Sequence, residues 1–213
     1  MNTRICFIRH GESEYNKLYS HLVGGRSNDT PLSTKGIEQS ELLGKYLLNK
    51  EVKFDKVYSS PAVRAIGTAN IVMGIQKYPL EEILVFDELL ELDQGDWTWK
   101  LRDEMYTPEI RKIIALDPWN FAPPNGESQR QVEERMLKFV YQNILNKRHE
   151  YNTDHSIAIF GHGTAIKCTL RGIMNSNPKL TYKMVLENTS ITEFVYDGST
   201  LNLSRFNDTS HLG

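Results

Sequence analysis

Two histidines of this chain sit in nearly the same local setting, about 150 residues apart. The first lies in Ile5-Cys6-Phe7-Ile8-Arg9-His10-Gly11-Glu12, the second in Ile157-Ala158-Ile159-Phe160-Gly161-His162-Gly163-Thr164. Each follows a short apolar run, and each is followed directly by glycine. Such runs read as buried strands of a parallel sheet. Ligands in open α/β sheets bind at the carboxyl ends of those strands. The pattern therefore predicts one pocket holding two imidazoles, with Arg9 beside the first. An imidazole can serve as nucleophile, proton carrier or cationic donor. Two imidazoles with an arginine suit an anionic substrate, most simply a phosphate ester.

A second arginine converges on the same place. In Ser59-Ser60-Pro61-Ala62-Val63-Arg64, Ser60 reads as an N-cap and Pro61 as the first helical residue. Arg64 then lies on the first helical turn, where the helix N-terminus also favours an anion. A guanidinium presents a planar fork of donors that matches phosphate oxygens. Glu12 reads as a loop or helix-start carboxylate without a catalytic role.

The elements that must hold these residues alternate between strand and helix. Strands are predicted at 4–8, 55–59, 83–87 and 156–160. Helices are predicted at 33–50, from Pro61 to about 75, at about 127–148 and at 163–174. Ser33 caps the first helix, whose apolar side carries Leu42, Leu43, Tyr46 and Leu47. Strands near 190–197 and 200–206, joined around Asp197-Gly198, form a hairpin at the sheet edge. Residues 92–125 hold three tryptophans and four prolines and at most two short helices. That stretch is too long for an ordinary connection and reads as a flap inserted near a site. The expected architecture is one domain over 1–213. It is a three-layer α/β/α sandwich with a mostly parallel central sheet.

Bulk properties narrow the partners. The chain has 213 residues, 39% of them hydrophobic, and a formal net charge of −2. That is enough apolar material for a substantial core, and it offers no global field for nucleic acid or an anionic membrane surface. No apolar run approaches the roughly 20 residues of a membrane span. The first residues lack a signal-peptide layout, and the two cysteines, Cys6 and Cys168, fall on apolar faces. Buried reduced thiols in a cytoplasmic protein are the expectation, with no catalytic cysteine. Oligomeric state is not legible.

Taken together, these segments resemble the histidine phosphatase superfamily, in the branch that includes cofactor-dependent phosphoglycerate mutases and many small-molecule phosphatases. The resemblance runs through Arg9-His10-Gly11-Glu12-Ser13 with Asn16, and Asp29-Thr30-Pro31-Leu32-Ser33 with Gly36. It continues through Ser59-Ser60-Pro61 with Arg64 and Thr68, Glu91-Leu92-Asp93-Gln94-Gly95-Asp96-Trp97, and Gly126-Glu127-Ser128. It closes with Gly161-His162-Gly163, Asn207-Asp208 and His211-Leu212. The resemblance implies that His10 is the nucleophile and forms a phosphohistidine. It implies that His162, Arg9 and Arg64 donate to the phosphoryl oxygens, with Asn16, Gly24, Gly25 and Gly163 as further substrate contacts. Two neighbouring guanidinium charges keep His10 neutral, as attack requires. A backbone carbonyl near Gly11 would fix the tautomer that leaves its other nitrogen free. By the same resemblance Glu91 is the general acid, protonating the leaving alkoxide and then activating water. Glu88, which follows the apolar strand directly, is its competitor. The contact usually made by the loop 23–29 falls to Gly24 or Gly25. Arg26 is either a contact to the variable end of the substrate or a solvated loop residue.

Leu92-Asp93-Gln94-Gly95 is nearer the phosphatase form than the mutase form, and the flap is short for a mutase. The expected activity is a metal-independent phosphomonoesterase acting on small-molecule phosphate esters, with no cofactor. The alternative is a cofactor-dependent phosphoglycerate mutase. A non-catalytic phospho-ligand module would be expected to lack His10 or Glu91. A metal site is disfavoured because the arginines repel a cation and no His-x-x-x-His or Cys-x-x-Cys spacing exists.

Overall fold

A computed structural model describes residues 1–213. Six strands form one sheet in the order β3-β2-β4-β1-β5-β6. They are β1 (Thr3–Arg9), β2 (Lys56–Ser59), β3 (Leu84–Val85), β4 (His155–Gly161), β5 (Ile191–Tyr196) and β6 (Leu201–Asp208). The first four in that order run parallel, and β5 and β6 add an antiparallel hairpin.

Helices cover both faces, because the central strands are apolar on both sides. Along β1, Ile5 and Phe7 enter one core, whereas Cys6 and Ile8 enter the other. Along β4, Ile157 and Ile159 join the first, and Ala158 and Phe160 the second. The first core is closed by α6 (Gln129–Asn143) through Val132, Met136, Phe139 and Val140, and by α7 (Gly163–Ile173) through Ala165, Ile166 and Leu170. The second is closed by α2 (Thr34–Asn49) through Leu43 and Leu47, and by α3 (Val63–Ile75) through Ala69, Val72 and Met73. Each large side chain fully buried here contributes about 1.5–3 kcal/mol. The three-layer α/β/α arrangement with a mostly parallel sheet is therefore present.

Several boundaries differ from the expectation. Strand β3 keeps only Leu84 and Val85, because Asp87–Leu89 turns into a short 3-10 segment. Helix α6 stops at Asn143, and the chain continues as 3-10 turns to Glu150. Leu42 faces solvent. Of the hairpin strands, β6 alone is at the edge, since β5 pairs with β1. Helix α3 begins at Val63, so Ser60 does not cap it and Pro61 lies in the preceding turn.

The flap carries two short helices, α4 (Arg102–Met105) and α5 (Pro108–Leu116). A short helix of similar length, α1 (Glu14–Leu18), follows the loop after β1. Trp97 packs in the flap against Tyr106 and Phe121, and Trp99 packs on Tyr15 and Tyr19. Trp119 lies under the Arg171 guanidinium of α7 at 3.8 Å, and Arg171 also pairs with Glu133 of α6. No helix is long and apolar enough to cross a membrane.

Candidate active site

The sheet brings the two histidines together as their matched settings require. β1 and β4 are neighbours with Arg9 opposite Gly161, and the His10 N–H donates to the Gly161 carbonyl at 3.0 Å. The imidazole rings lie 5.2 Å apart between centroids. β2 ends alongside, with the Ser60 N–H donating to Phe160 at 3.0 Å. The turn after it delivers Arg64 on the first turn of α3.

His10 is held by both ring nitrogens. Nδ1 lies 2.7 Å from the Gly11 carbonyl, so it carries the proton, and Nε2 accepts from Arg64 Nε at 3.2 Å. The Gly11 N–H in turn donates to Thr68 Oγ1 at 2.9 Å. Residue 11 must be glycine for packing: a Cβ there would lie 2.5 Å from the Gly36 carbonyl of α2. His10 is held well below its ordinary pKa by burial first, then by Arg64 and Arg9, with the Gly11 bond opposing. His162 is likewise held well below, by burial and then by Arg64 and His10. Burial also lowers Arg64, to about 10, which leaves it cationic at neutral pH.

The arginines are occupied by carbonyls. Arg64 donates to Ser27 at 2.6 Å and to Gly25 at 3.3 Å, and Arg9 Nη1 donates to Leu186. Gly25 adopts the left-handed backbone, φ 59°, that aims its carbonyl at Arg64. Within the site, two buried side-chain nitrogens have no protein partner, Arg9 Nε and His162 Nδ1. An anion is the natural partner for such groups.

Glu91 sits on the N-terminus of α7. Its carboxylate accepts from the N–H groups of Thr164 and Ala165, each at 3.0 Å, and from Leu92 at 2.8 Å. It lines a cavity of about 770 Å³ together with Arg9, Gly24, Gly25 and Thr164. The flap supplies the far wall through Arg102, Tyr106, Arg111 and Phe121. His10, His162 and Arg64 are buried beneath the site and do not themselves line that cavity. Glu88 is exposed and lies outside it, its carbonyl bound by Arg135. Gly163 opens α7 against the Arg9 side chain. Asn16 spends its Oδ1 on a capping box with Ser13, which leaves Nδ2 as its remaining donor. Arg26 does not line that cavity, and its partly exposed side chain is tied down by neighbours. It bonds the Glu91 carbonyl at 3.2 Å and pairs with Asp93 and Glu127.

Sequence reasoning missed several neighbours. Ser60 Oγ lies 2.8 Å from His162 Nε2. Asn188 Nδ2 donates to the His10 carbonyl at 2.9 Å, and the Thr189 N–H donates to Arg9 and His10 carbonyls. Arg135 of α6 donates to the Glu91 carbonyl at 3.1 Å and pairs with Glu127, whose carboxylate also accepts from the Asp93 N–H at 3.1 Å. For Glu127 the signal was its place in Gly126-Glu127-Ser128; Asn188 and Thr189 carried none. No group of three or more His, Cys, Asp or Glu is arranged to hold a metal ion. Both cysteines are free and buried, and burial pushes the Cys168 thiol up to about 12.

The family model of the histidine phosphatase superfamily (branch 1) matches residues 5–209. The adenosylcobalamin/alpha-ribazole phosphatase of Escherichia coli K12 is 32% identical over 157 residues, covering 69% of this chain and 73% of that one. The fructose-2,6-bisphosphatase TIGAR B of Danio rerio is 31% identical over 146 residues, or 67% of this chain. The match spans 55% of that relative's length. Among solved structures, a histidine-to-alanine variant of phosphoserine phosphatase from Entamoeba histolytica, in complex with phosphoserine, has a TM-score of 0.80 at 26% identity. It covers 99% of this chain and all of that one (100%).

Proposed function

We propose that this chain, which belongs to the histidine phosphatase superfamily, hydrolyses small-molecule phosphate monoesters through a phosphohistidine on His10. The observation that carries the reading is the hydrogen bonding of His10. Its Nδ1 proton is given to the Gly11 carbonyl, so Nε2 keeps a lone pair. Burial and two guanidinium groups keep the ring neutral and nucleophilic. Arg64 Nε now donates to that lone pair. As a phosphoryl group arrives, the guanidinium turns its donors to the oxygens and frees Nε2 to attack phosphorus. Arg9 and His162 meet the developing charge with the donors that lack protein partners.

Glu91 protonates the departing alkoxide, then takes a proton from the water that opens the phosphohistidine. Asn16, Gly24, Gly25 and Gly163 complete the substrate contacts. The phosphatases among the relatives support hydrolysis as the outcome. The two free cysteines suit a reducing compartment, and we assign the protein to the cytoplasm. The chain works without metal or cofactor in this reading.

The test combines three measurements. His10→Ala should abolish turnover with the fold intact. Wild-type protein quenched during turnover should carry an acid-labile phosphoryl label on His10. Inorganic phosphate should be the accumulating product. A label on serine or cysteine would overturn the nucleophile. Accumulation of an isomeric monoester that depends on a bisphosphorylated primer would make the chain a mutase.

A further inference from the structure

Ser60 reads in sequence as a helix cap, and the structure gives its hydroxyl another task. Ser60 is fully buried at the end of β2. Its backbone is pinned, the N–H on Phe160 and the carbonyl accepting from Ser59 Oγ at 3.0 Å. Its Oγ has two polar neighbours, the Ala62 N–H at 3.3 Å and His162 Nε2 at 2.8 Å.

We propose that Ser60 is a positioning residue that selects the tautomer of His162, so that a neutral His162 presents Nδ1–H to the phosphoryl group. The inference rests on the phosphatase reading above for its account of the anion. The tautomer itself follows from counting donors and acceptors.

A hydroxyl has one proton and two lone pairs. The Ala62 N–H uses one lone pair. If Ser60 donates its proton to Nε2, its one donor is used, a single lone pair stays spare and the His162 proton sits on Nδ1. In the opposite assignment Nε2–H donates to Ser60. The hydroxyl proton then has no acceptor, and Nδ1 is a buried lone pair without a donor. The first assignment leaves unmatched one donor at Nδ1, which an anion satisfies. The second leaves two groups unmatched, and its Nδ1 lone pair would repel an anion. The cationic ring is disfavoured by burial and by Arg64.

The two imidazoles then carry the same tautomer and offer the phosphoryl group opposite things. His10 spends its Nδ1 proton on Gly11 and offers a lone pair from Nε2. His162 spends its Nε2 lone pair on Ser60 and offers a proton from Nδ1. The turn after β2 and the first turn of α3 set the two rings, through Ser60 on His162 and Arg64 on His10.

The test reads the tautomer directly. Full-length protein labelled with nitrogen-15 histidine is studied by NMR at neutral pH with inorganic phosphate bound. The His162 signals are assigned by difference from His162→Gln. Expected is a neutral ring protonated at Nδ1 in the wild type. Ser60→Ala should lose that single tautomer and fall roughly 10- to 100-fold in kcat/KM, the range seen when partners that orient metal-bound imidazoles are removed. Its remaining activity should rise toward acid pH, where a cationic His162 regains a donor at Nδ1. Ser60→Thr should restore the wild-type tautomer and pH profile.

A wild-type ring protonated at Nε2, or an imidazolium at neutral pH, would overturn the proposal. So would a Ser60→Ala enzyme with the wild-type kcat/KM and pH profile. If Ser60→Ala does not fold, Ser60→Cys, with a weaker donor of similar size, carries the same comparison. A wild type that forms no phosphohistidine sinks the phosphatase reading and leaves the tautomer result standing.

Discussion

His10, the proposed nucleophile, is kept neutral by its neighbours more than by its own chemistry. A free imidazole is half protonated near pH 6.5. Burial and the charges of Arg64 and Arg9 move that midpoint well down. The reactive form is the unprotonated one, so a lowered pKa keeps the enzyme active further into acid. The acid limb of kcat/KM assigned to His10 should therefore lie below 6.5. Arg64→Gln removes one of the charges, so the limb should move toward alkaline pH even as the rate falls. A limb unmoved in the Arg64→Gln profile would show that the guanidinium does not set the ionisation. At this scale the sequence was most legible where chemistry and chain position coincide. His10, His162 and Arg9 are strand-end residues, and a strand end is readable from four apolar residues and a glycine. Ser60 was not, because serine before proline looks the same whether its hydroxyl caps a helix or reaches across the sheet. The helix starts at Val63, two residues later than the proline suggests, and that frees the hydroxyl for His162.

Two elements place Glu91, the proposed acid, and brace His10, the proposed nucleophile. The N-terminus of α7 holds Glu91 through Thr164 and Ala165, a seat that a helix end provides to carboxylates. Glu91→Gln should fail on alkyl phosphates and fail less on an aryl phosphate, whose leaving group departs without a proton. Glu88→Gln, altering an exposed residue outside the cavity, should be mild on both. The reverse pattern in a leaving-group series would put the acid at Glu88. The brace is the segment 186–190. Thr189 there holds φ 58°, a left-handed conformation that costs a β-branched residue about 1–3 kcal/mol. It persists because its N–H reaches the Arg9 and His10 carbonyls and its Oγ1 lies 2.8 Å from His211 Nε2. Asn207 Oδ1 at the end of β6 accepts from the Glu187 N–H at 2.7 Å, so β6 and the tail after it each hold the brace. His211→Ala should lower kcat several-fold and stability by about 1 kcal/mol, the worth of one buried hydrogen bond. Unfolding by urea together with steady-state rates checks both, and an unchanged kcat would reduce the tail to packing. Asn207 and His211 fell in segments that carry the family resemblance, but nothing announced residues 186–190 themselves. The carbonyls they brace lie some 180 positions away in the chain, as with Asn188 and His10, and local periodicity carries no information at that range.

Across the whole molecule the charge is nearly balanced, at −2, yet the site is locally cationic. The sheet order concentrates Arg9, Arg64 and two imidazoles at one end of three adjacent parallel strands. The layers themselves were readable, since alternating strand and helix periods leave few other ways to cover a two-sided apolar sheet. The flap was readable only as an insertion. What anchors it, Arg171 stacked on Trp119 and paired with Glu133, joins three distant segments. Concentrating buried neutral histidines has a consequence for stability. His10 and His162 take up protons in the unfolded chain near pH 6.5 but resist them when folded. The unfolded state therefore binds more protons as pH falls below about 6.5, and stability drops with it. An anion in the site works in the opposite direction, because it binds only the folded chain. Vanadate, which adopts the five-coordinate shape of a transferring phosphoryl group, should inhibit and should raise the unfolding temperature. At a hundred times its Kd the stabilisation would be about 2.7 kcal/mol. The gain should be no larger at pH 5.5 than at pH 7.5, since the five-coordinate form takes the Nε2 lone pair of His10, for which a proton competes. A chelator should change neither the rate nor the vanadate effect, because the anion is met by Arg9, Arg64 and His162 rather than by a cation. Thermal unfolding at both pH values, with and without vanadate and chelator, decides it. A vanadate shift abolished by chelator and restored by a divalent metal would mean that a metal, not these side chains, holds the phosphoryl group.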